Sequence, residues 1–392
     1  MTTAATPFNP REPGTFLYRD AEEFLRSGDR EGPTLLFSET ALDHRVRQFF
    51  EHFPGATAYA VKANAEPRVL GALWRSGIRE FDAASIGEVR ALRRLLPAAH
   101  INFNNPVRPR ADTLAACAEF GVSSFVVDDA AGLEALEALA NRNLEITVRF
   151  TLPHSDAAYD FGSKFGATPA AAAELLQRAA RLSDRVSLTF HPGSQCTSPA
   201  VYDNYIRAAA DICSGVRIAL YRLNVGGGFP LPYPGARAPS LAAYFEAIGK
   251  AARVHFAGSP PRLICEPGRA LVGPSCSLLT QVIHVRDNGA VFVDDGLYGS
   301  LQEQLLMDCA LPLRLWRDGR RLPVNGPLRS VFGPTCDPTD RLARDYRLNR
   351  DIAPGDLVEF GLVGAYGSAT STRFNGILPA RYVSVQAGFQ LD

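Results

Sequence analysis

The sequence predicts an α/β fold, a (β/α)8 TIM barrel joined to a second, mostly β C-terminal domain of sandwich or barrel type. Three observations carry the prediction. From about residue 57 to 266, eight short β-like runs alternate with segments of helical period. After about residue 276 that alternation gives way to β-branched runs broken by Gly, Pro and Asp. At 392 residues the chain exceeds one ordinary domain and suffices for a barrel of about 250 residues plus a smaller unit.

The β-like runs are TAYAVK (57–62), REFDA (79–83), HINF (100–103), SFVVD (124–128), LEITVRF (144–150), VSLTFH (186–191), VRIALYRLNV (216–225) and PRLICE (261–266). Between them lie stretches such as SIGEVRALRRLL, in which Ile86, Val89, Leu92 and Leu96 share one helical face, and AAAAELLQRAARL. Eight strand–helix units spell a closed barrel more naturally than an open sheet. The later runs CSLLTQVIHVRD, GAVFVDDG, LRSVFGPTC, GDLVEFGLVGAYG and ARYVSVQAG lack amphipathic helices. The expected organisation is a barrel over 33–276, with 1–32 and 277–392 forming the β domain; GTFLYRD near the N-terminus belongs with the latter.

Hydrophobic residues make up 46% and charged residues 21%, with 41 basic against 41 acidic side chains. This balance argues against nucleic acid and anionic membrane as partners. No apolar run approaches the roughly 20 residues that cross a bilayer, and MTTAATPFNPREPGTF has neither a basic start nor an apolar segment, so the cytoplasm is the expected compartment. Seven scattered cysteines without a C-x-x-C pair argue against a disulfide framework or a structural zinc site, and no metal is expected.

Lys62, Asp82, Arg149, His191 and Glu266 each fall at or within a residue of the C-terminal end of a predicted strand. In a barrel those ends converge on the rim that carries the active site. Three have a plainer reading: Lys62 as a lysine paired with a carboxylate, His191 as a core histidine, and Glu266 in a structural pair with Arg269. Against that, a partly desolvated lysine becomes a nucleophile able to form a Schiff base. LNVGGGFP (223–230) follows the seventh strand and could bring backbone N–H groups close to a phosphate, or be a flexible turn; it is not G-x-G-x-x-G. In CEPGRALVG, Glu266 could hold the protonated nitrogen of a pyridine ring and Arg269 a phosphate. In FHPGSQ, His191 could stack on a ring and Ser194 could bind phosphate.

The segments YAVKAN, FDAAS, FHPGSQ, NVGGGFP, CEPGRALVG, DDGLYGS, GPTCDPTD and GAYG, in this order, resemble the ornithine/lysine decarboxylase branch of the fold-type III pyridoxal-phosphate enzymes. The resemblance spans roughly residues 30 to 385 and implies an alanine-racemase-like barrel, pyridoxal 5'-phosphate as cofactor, and a homodimer with active sites shared across its interface. It implies Lys62 as the cofactor-holding amine, His191 as the ring-stacking residue, Glu266 as the pyridine-nitrogen partner, and Asp82 and Arg149 as supporting groups. Ser194, the backbone of Gly226, Gly227 and Gly228, Arg269 and Tyr366 match the phosphate-binding positions. Cys336 matches the residue that protonates Cα from the other subunit. Asp295 and Asp337 match the carboxylates for the substrate's distal ammonium, and Phe374 the aromatic along its aliphatic chain. Pro192 and Gly367 depart from the family's usual Val and Thr, which predicts altered loop geometry beside the cofactor.

The implied activity is decarboxylation of a basic diamino L-amino acid, ornithine or lysine, to putrescine or cadaverine and carbon dioxide, as in polyamine biosynthesis. A sister decarboxylase acting on an unusual diamino or conjugated amino acid shares the same cofactor site. A racemase is expected to carry a tyrosine base where this chain has Cys336 and Asp337. A silent decarboxylase-like binding protein is expected to have lost Lys62, Glu266, Arg269, Cys336 or Asp337, all present here.

Overall fold

A computed structural model describes residues 17–139, 143–153, 157–159, 164–235, 238–307 and 309–391. Eight parallel strands close into a barrel in chain order: Ala56–Ala60, Glu80–Ala83, His100–Phe103, Ser124–Val127, Glu145–Arg149, Arg185–Thr189, Arg222–Asn224 and Arg262–Cys265. The ring shuts where Ile264 pairs with Ala56. All eight predicted runs supply a barrel strand, but the seventh is much shorter than expected. The helix Ala200–Val216 runs into its first residue, and Arg217 ends that helix in the left-handed region at φ 57°. The apolar run after Val216 is therefore mostly connection.

Local capping places the outer helices. The Ser38 hydroxyl accepts from Ala41 N at 3.2 Å to start Glu39–His52, and Ser85 accepts from Glu88 N at 3.2 Å to start Ile86–Leu95. Val89, Leu92 and Leu96 from the predicted face are buried, and Ile86 packs against the same core from a half-buried position. The N-terminal end of the barrel is closed by charge: Arg222 lies 2.7 Å from Glu80 and 2.5 Å from Glu145, each the first residue of its strand. Such partly buried groups are tolerable only while paired. In such barrels the opposite rim carries the chemistry.

The β domain forms a sheet in the order Arg320–Leu322, Leu313–Arg317, Leu357–Phe360, Cys276–Val285, Thr34–Phe37 and Arg381–Ser384; off this path Val291–Val293 pairs with Cys276–Val285, and Val331–Phe332 pairs with Val291–Val293. Thr34–Phe37 lies inside the span the sequence assigns to the barrel, yet its neighbours are the antiparallel Cys276–Val285 and the parallel Arg381–Ser384. Its four residues are all buried, and an uninterrupted apolar run does not reveal which sheet it joins. The helix Ala21–Ser27 sets Phe24 among Leu36, Leu279, Trp316 and Val383. Tyr18 bridges Val385, while the first residues of GTFLYRD lie outside the described residues. Among the described residues no helix is long and apolar enough to cross a membrane.

Candidate active site

The first barrel strand ends at Ala60, and the chain then turns through a 3-10 segment, Val61–Ala63. Val61 and Ala63 are buried, which turns Lys62 outward at the rim. The turn is hooked to the β domain: Asn64 Nδ2 donates to the Gly364 carbonyl at 2.8 Å, and Tyr366 N donates to the Ala63 carbonyl at 2.7 Å. Residues of GAYG thus hold the backbone beside Lys62.

Lys62, Asp82, His191 and Glu266 line one cleft, together with Ser194, Arg269 and Tyr366. The Glu266 carboxylate accepts from Asn224 Nδ2 at 2.6 Å and from Asn104 Nδ2. Burial pushes its carboxyl up, while Asn224 and the charges of Lys62 and Arg149 work against the rise. Asp82 is pushed well up by burial and by the charge of Glu266, with Lys62 opposing. Arg149 ends the fifth strand; burial depresses its guanidinium, and Glu266, Asp128 and Asp82 support the charge. Burial, then Lys62 and Arg149, hold His191 well below the ordinary imidazole range. Gly193 N donates to its Nδ1 at 3.1 Å, so His191 presents a neutral ring.

Opposite this group the glycine loop passes where no side chain fits. A Cβ at Gly228, whose φ is +87°, would lie 2.4 Å from the Gly193 carbonyl oxygen, and one at Gly227 would lie 2.8 Å from that of Glu266. Gly227 and Gly228 border the cleft. Gly226 does not serve as a free backbone donor as expected, because Asn224 Oδ1 accepts its N–H at 2.9 Å. Arg269 is 8% exposed, its Nε has no hydrogen-bond partner, its Nη2 lies 3.4 Å from Ser194 Oγ, and its guanidinium sits 5.1 Å from the Tyr366 ring. Tyr366 adopts φ 57°, uncommon for an aromatic residue. A buried arginine with an unsatisfied N–H, a hydroxyl and a side-chain-free backbone fit the phosphate of pyridoxal phosphate.

The predicted substrate residues form a second cluster, on the β domain. Tyr298 OH donates to Asp337 Oδ2 at 2.5 Å, and its ring stacks on Phe374 at 4.6 Å between centroids. Hydrogen bonds from Tyr298 and Thr339 hold the Asp337 carboxyl below its ordinary value. Cys336 is exposed, its N–H donating to Asn375 Oδ1 at 3.1 Å. Cys336, Asp337 and Phe374 are not among the residues that line the Lys62 cleft. Asp295 is turned into its own loop instead of toward a substrate: it is 4% exposed, and its Oδ1 accepts from Gly296 N at 2.7 Å and Ser300 N at 2.9 Å. At Gly367 a Cβ would meet the Val363 carbonyl oxygen at 2.8 Å, so this loop has no room for threonine.

Asn104, Asn224, Tyr298 and Glu303 were missed from sequence. Asn104 and Asn224 stand at strand ends, so the rule that found Lys62 would have found them. Tyr298 sits inside the quoted motif DDGLYGS. Glu303, on the 3-10 segment Gln302–Leu305, pairs with both Nη atoms of Arg269, and no sequence signal announces it.

Residues 39–273 match the pyridoxal-binding domain of pyridoxal-dependent decarboxylases. The lysine/ornithine decarboxylase of Selenomonas ruminantium is 32% identical over 354 residues, covering 88% of this chain and 87% of that protein. A diaminopimelate decarboxylase of Actinosynnema pretiosum subsp. auranticum is 30% identical, covering 91% of this chain and 84% of the other. The crystal structure of a lysine/ornithine decarboxylase from Vibrio vulnificus in complex with cadaverine superposes with a TM-score of 0.81 at 27% identity, covering 94% of this chain and 100% of that one. The match over residues 39–273 and these relatives show that the chain belongs to the fold-type III pyridoxal-dependent decarboxylases, in the ornithine/lysine decarboxylase branch, and is a pyridoxal-phosphate-dependent amino-acid decarboxylase.

Proposed function

We propose that the protein decarboxylates a basic diamino L-amino acid, ornithine or lysine, to the corresponding diamine and carbon dioxide. The observation that carries this reading is the pairing of Asp337 with Tyr298 beside Phe374: an ionised carboxylate next to a carbon-rich wall suits a chain that is aliphatic along its length and cationic at its end. Similarity to lysine/ornithine decarboxylases supports it.

Bound pyridoxal phosphate supplies an aldehyde that captures amines and a ring that accepts the electron pair left when carbon dioxide departs. In the proposed roles, Lys62 Nζ is the amine that holds this aldehyde and later releases the product. Glu266, fixed by Asn104 and Asn224, keeps a proton at the pyridine nitrogen. Asp82 and Arg149 balance the charge around it. His191 covers the ring with a neutral face. Arg269, Ser194, Tyr366 and the N–H groups of Gly227 and Gly228 hold the phosphate. Binding energy at the distal ammonium, taken by Asp337, orients the scissile carboxylate, and Cys336 delivers the proton to Cα.

We propose further that two copies pair, Cys336, Asp337 and Phe374 of one completing the Lys62 cleft of the other. The separation of the two clusters within one chain supports this, as do Leu305, Leu306 and Leu378, which are 60%, 60% and 68% exposed. A sister activity on a diamino acid with a second carboxylate is favoured by the similarity to diaminopimelate decarboxylase. One experiment separates these readings: carbon dioxide and amine are measured for ornithine, lysine, arginine, diaminopimelate and neutral amino acids in both configurations. Release confined to ornithine or lysine supports the proposal, and release from diaminopimelate alone overturns it. Lys62→Ala is expected to lose the borohydride-trappable cofactor absorbance.

A further inference from the structure

We infer that Asp340 is a positioning residue that sets where Cys336 and Tyr298 stand; this rests on the decarboxylase reading above. Asp340 touches neither cavity wall and is 2% exposed. Its carboxylate is wedged between two loops. Oδ1 accepts from Leu297 N at 2.7 Å, on the loop that carries Tyr298. Oδ2 accepts from Thr335 N at 3.1 Å and Thr335 Oγ1 at 2.7 Å, on the loop that carries Cys336 and Asp337. The backbone closes the same knot, with Gly333 N donating to Asp340 O at 2.8 Å and Asp340 N to Asp337 O at 3.0 Å.

The glycines on either side are shaped around this group. A Cβ at Gly296 would lie 2.3 Å from Asp340 Oδ1 and 2.7 Å from Gly333 Cα, and one at Gly333 would lie 2.3 Å from both carboxylate oxygens. The two loops therefore meet face to face across one buried anion. Asp340 joins their backbones, and the Tyr298–Asp337 bond joins their tips. A buried carboxylate is stabilised by the donors aimed at it, so each loop is held in place by the other.

The geometry also separates the two sides of the clasp. In Asp340→Asn, the amide oxygen keeps the Leu297 N–H, and the amide nitrogen donates to Thr335 Oγ1. The Thr335 N–H then faces a donor, so the Cys336 loop loses one of its two side-chain ties while the Tyr298 loop keeps its own. Thr335→Val removes the hydroxyl donor from the same side at a half-buried position.

Both variants are tested in the full-length cofactor-loaded protein with two readouts. The first is the iodoacetamide alkylation rate of Cys336, located by peptide mass spectrometry, with the partly exposed Cys117 and Cys309 as internal references. The second is the ratio of carbon dioxide released to amine formed. Turnovers that lose carbon dioxide without a proton reaching Cα end in a carbonyl compound, its oxygen from water and its nitrogen left on the cofactor.

The expected result is a several-fold change at Cys336 alone, a ratio above one, and a kcat lowered on the order of 10- to 100-fold with KM for the basic substrate little changed. A lowered melting temperature with Cys336 reactivity and product ratio unchanged would overturn the inference. Should Asp340→Asn fail to fold, Thr335→Val decides. If the wild type releases no carbon dioxide from any amino acid, the decarboxylase reading fails, while the alkylation comparison still judges the clasp.

Discussion

Asn224 holds Glu266 at 2.6 Å through its amide nitrogen and Gly226 N at 2.9 Å through its amide oxygen. One buried side chain thus fixes both the carboxylate expected at the pyridine nitrogen and the entry to the glycine loop. Asn224→Ala removes both ties, leaving Glu266 with Asn104 and raising its carboxyl further. The expected outcome is a fall in kcat/KM of about 10- to 100-fold, as for loss of supporting groups elsewhere. Steady-state kinetics, with a pH titration of the cofactor absorbance, checks it.

Gly228 combines a left-handed backbone with a carbonyl oxygen 2.4 Å from where a Cβ would stand. Gly228→Ala forces the loop away from Gly193, next to the position of Ser194. Weaker cofactor binding is expected, by on the order of 10-fold or more, since a left-handed alanine alone costs about 1 kcal/mol. Titration of the cofactor-free variant with pyridoxal phosphate, followed by fluorescence, measures the shift.

His191 is neutral in the folded protein because burial depresses its protonation well below the ordinary 6.5. The unfolded chain binds a proton there as pH falls through 6.5, and the folded chain does not. Stability is therefore lost on acidification below 6.5, with a slope of up to about 1.4 kcal/mol per pH unit from this one group. Denaturant titrations of cofactor-free protein between pH 5 and pH 7.5 are expected to show a smaller slope for His191→Phe than for wild type.

Asp295 has the opposite sign. Burial pushes its carboxyl up to about 6 from an unfolded value of 3.8. Between those values the folded state holds a proton that the unfolded chain has released, so stability falls as pH rises through this window. Above it the buried charge costs about 3 kcal/mol. Asp295→Asn is expected to recover about 1–2 kcal/mol at pH 8 once weakened bonds from Gly296 and Ser300 are counted, with KM unchanged. A KM that rises selectively for basic substrates would return Asp295 to the substrate pocket.

The residues expected at the rim illustrate how far local pattern reaches. Lys62, Asp82, His191 and Glu266 were legible because a barrel converts strand ends into neighbours, so their alignment along the chain already implied one cleft. Asn104, one residue past the strand His100–Phe103, obeys the same rule. Asp295 went astray for a different reason: a motif names the loop, but a rotation of the side chain decides whether its carboxylate meets a substrate or the backbone of Gly296 and Ser300.

Alternation of period along the chain, a property of residues two to four apart, was enough to predict the barrel, the β domain that follows it and which side chains share the rim, while their roles came from the resemblance. Tertiary structure alone decided that Thr34–Phe37 joins a sheet whose other strands lie hundreds of residues away, that Arg269 meets Glu303, and that Asp340 ties the Tyr298 and Cys336 loops. These are contacts between segments distant in sequence, chosen by which buried polar groups can satisfy one another, and short-range periodicity holds no record of that choice.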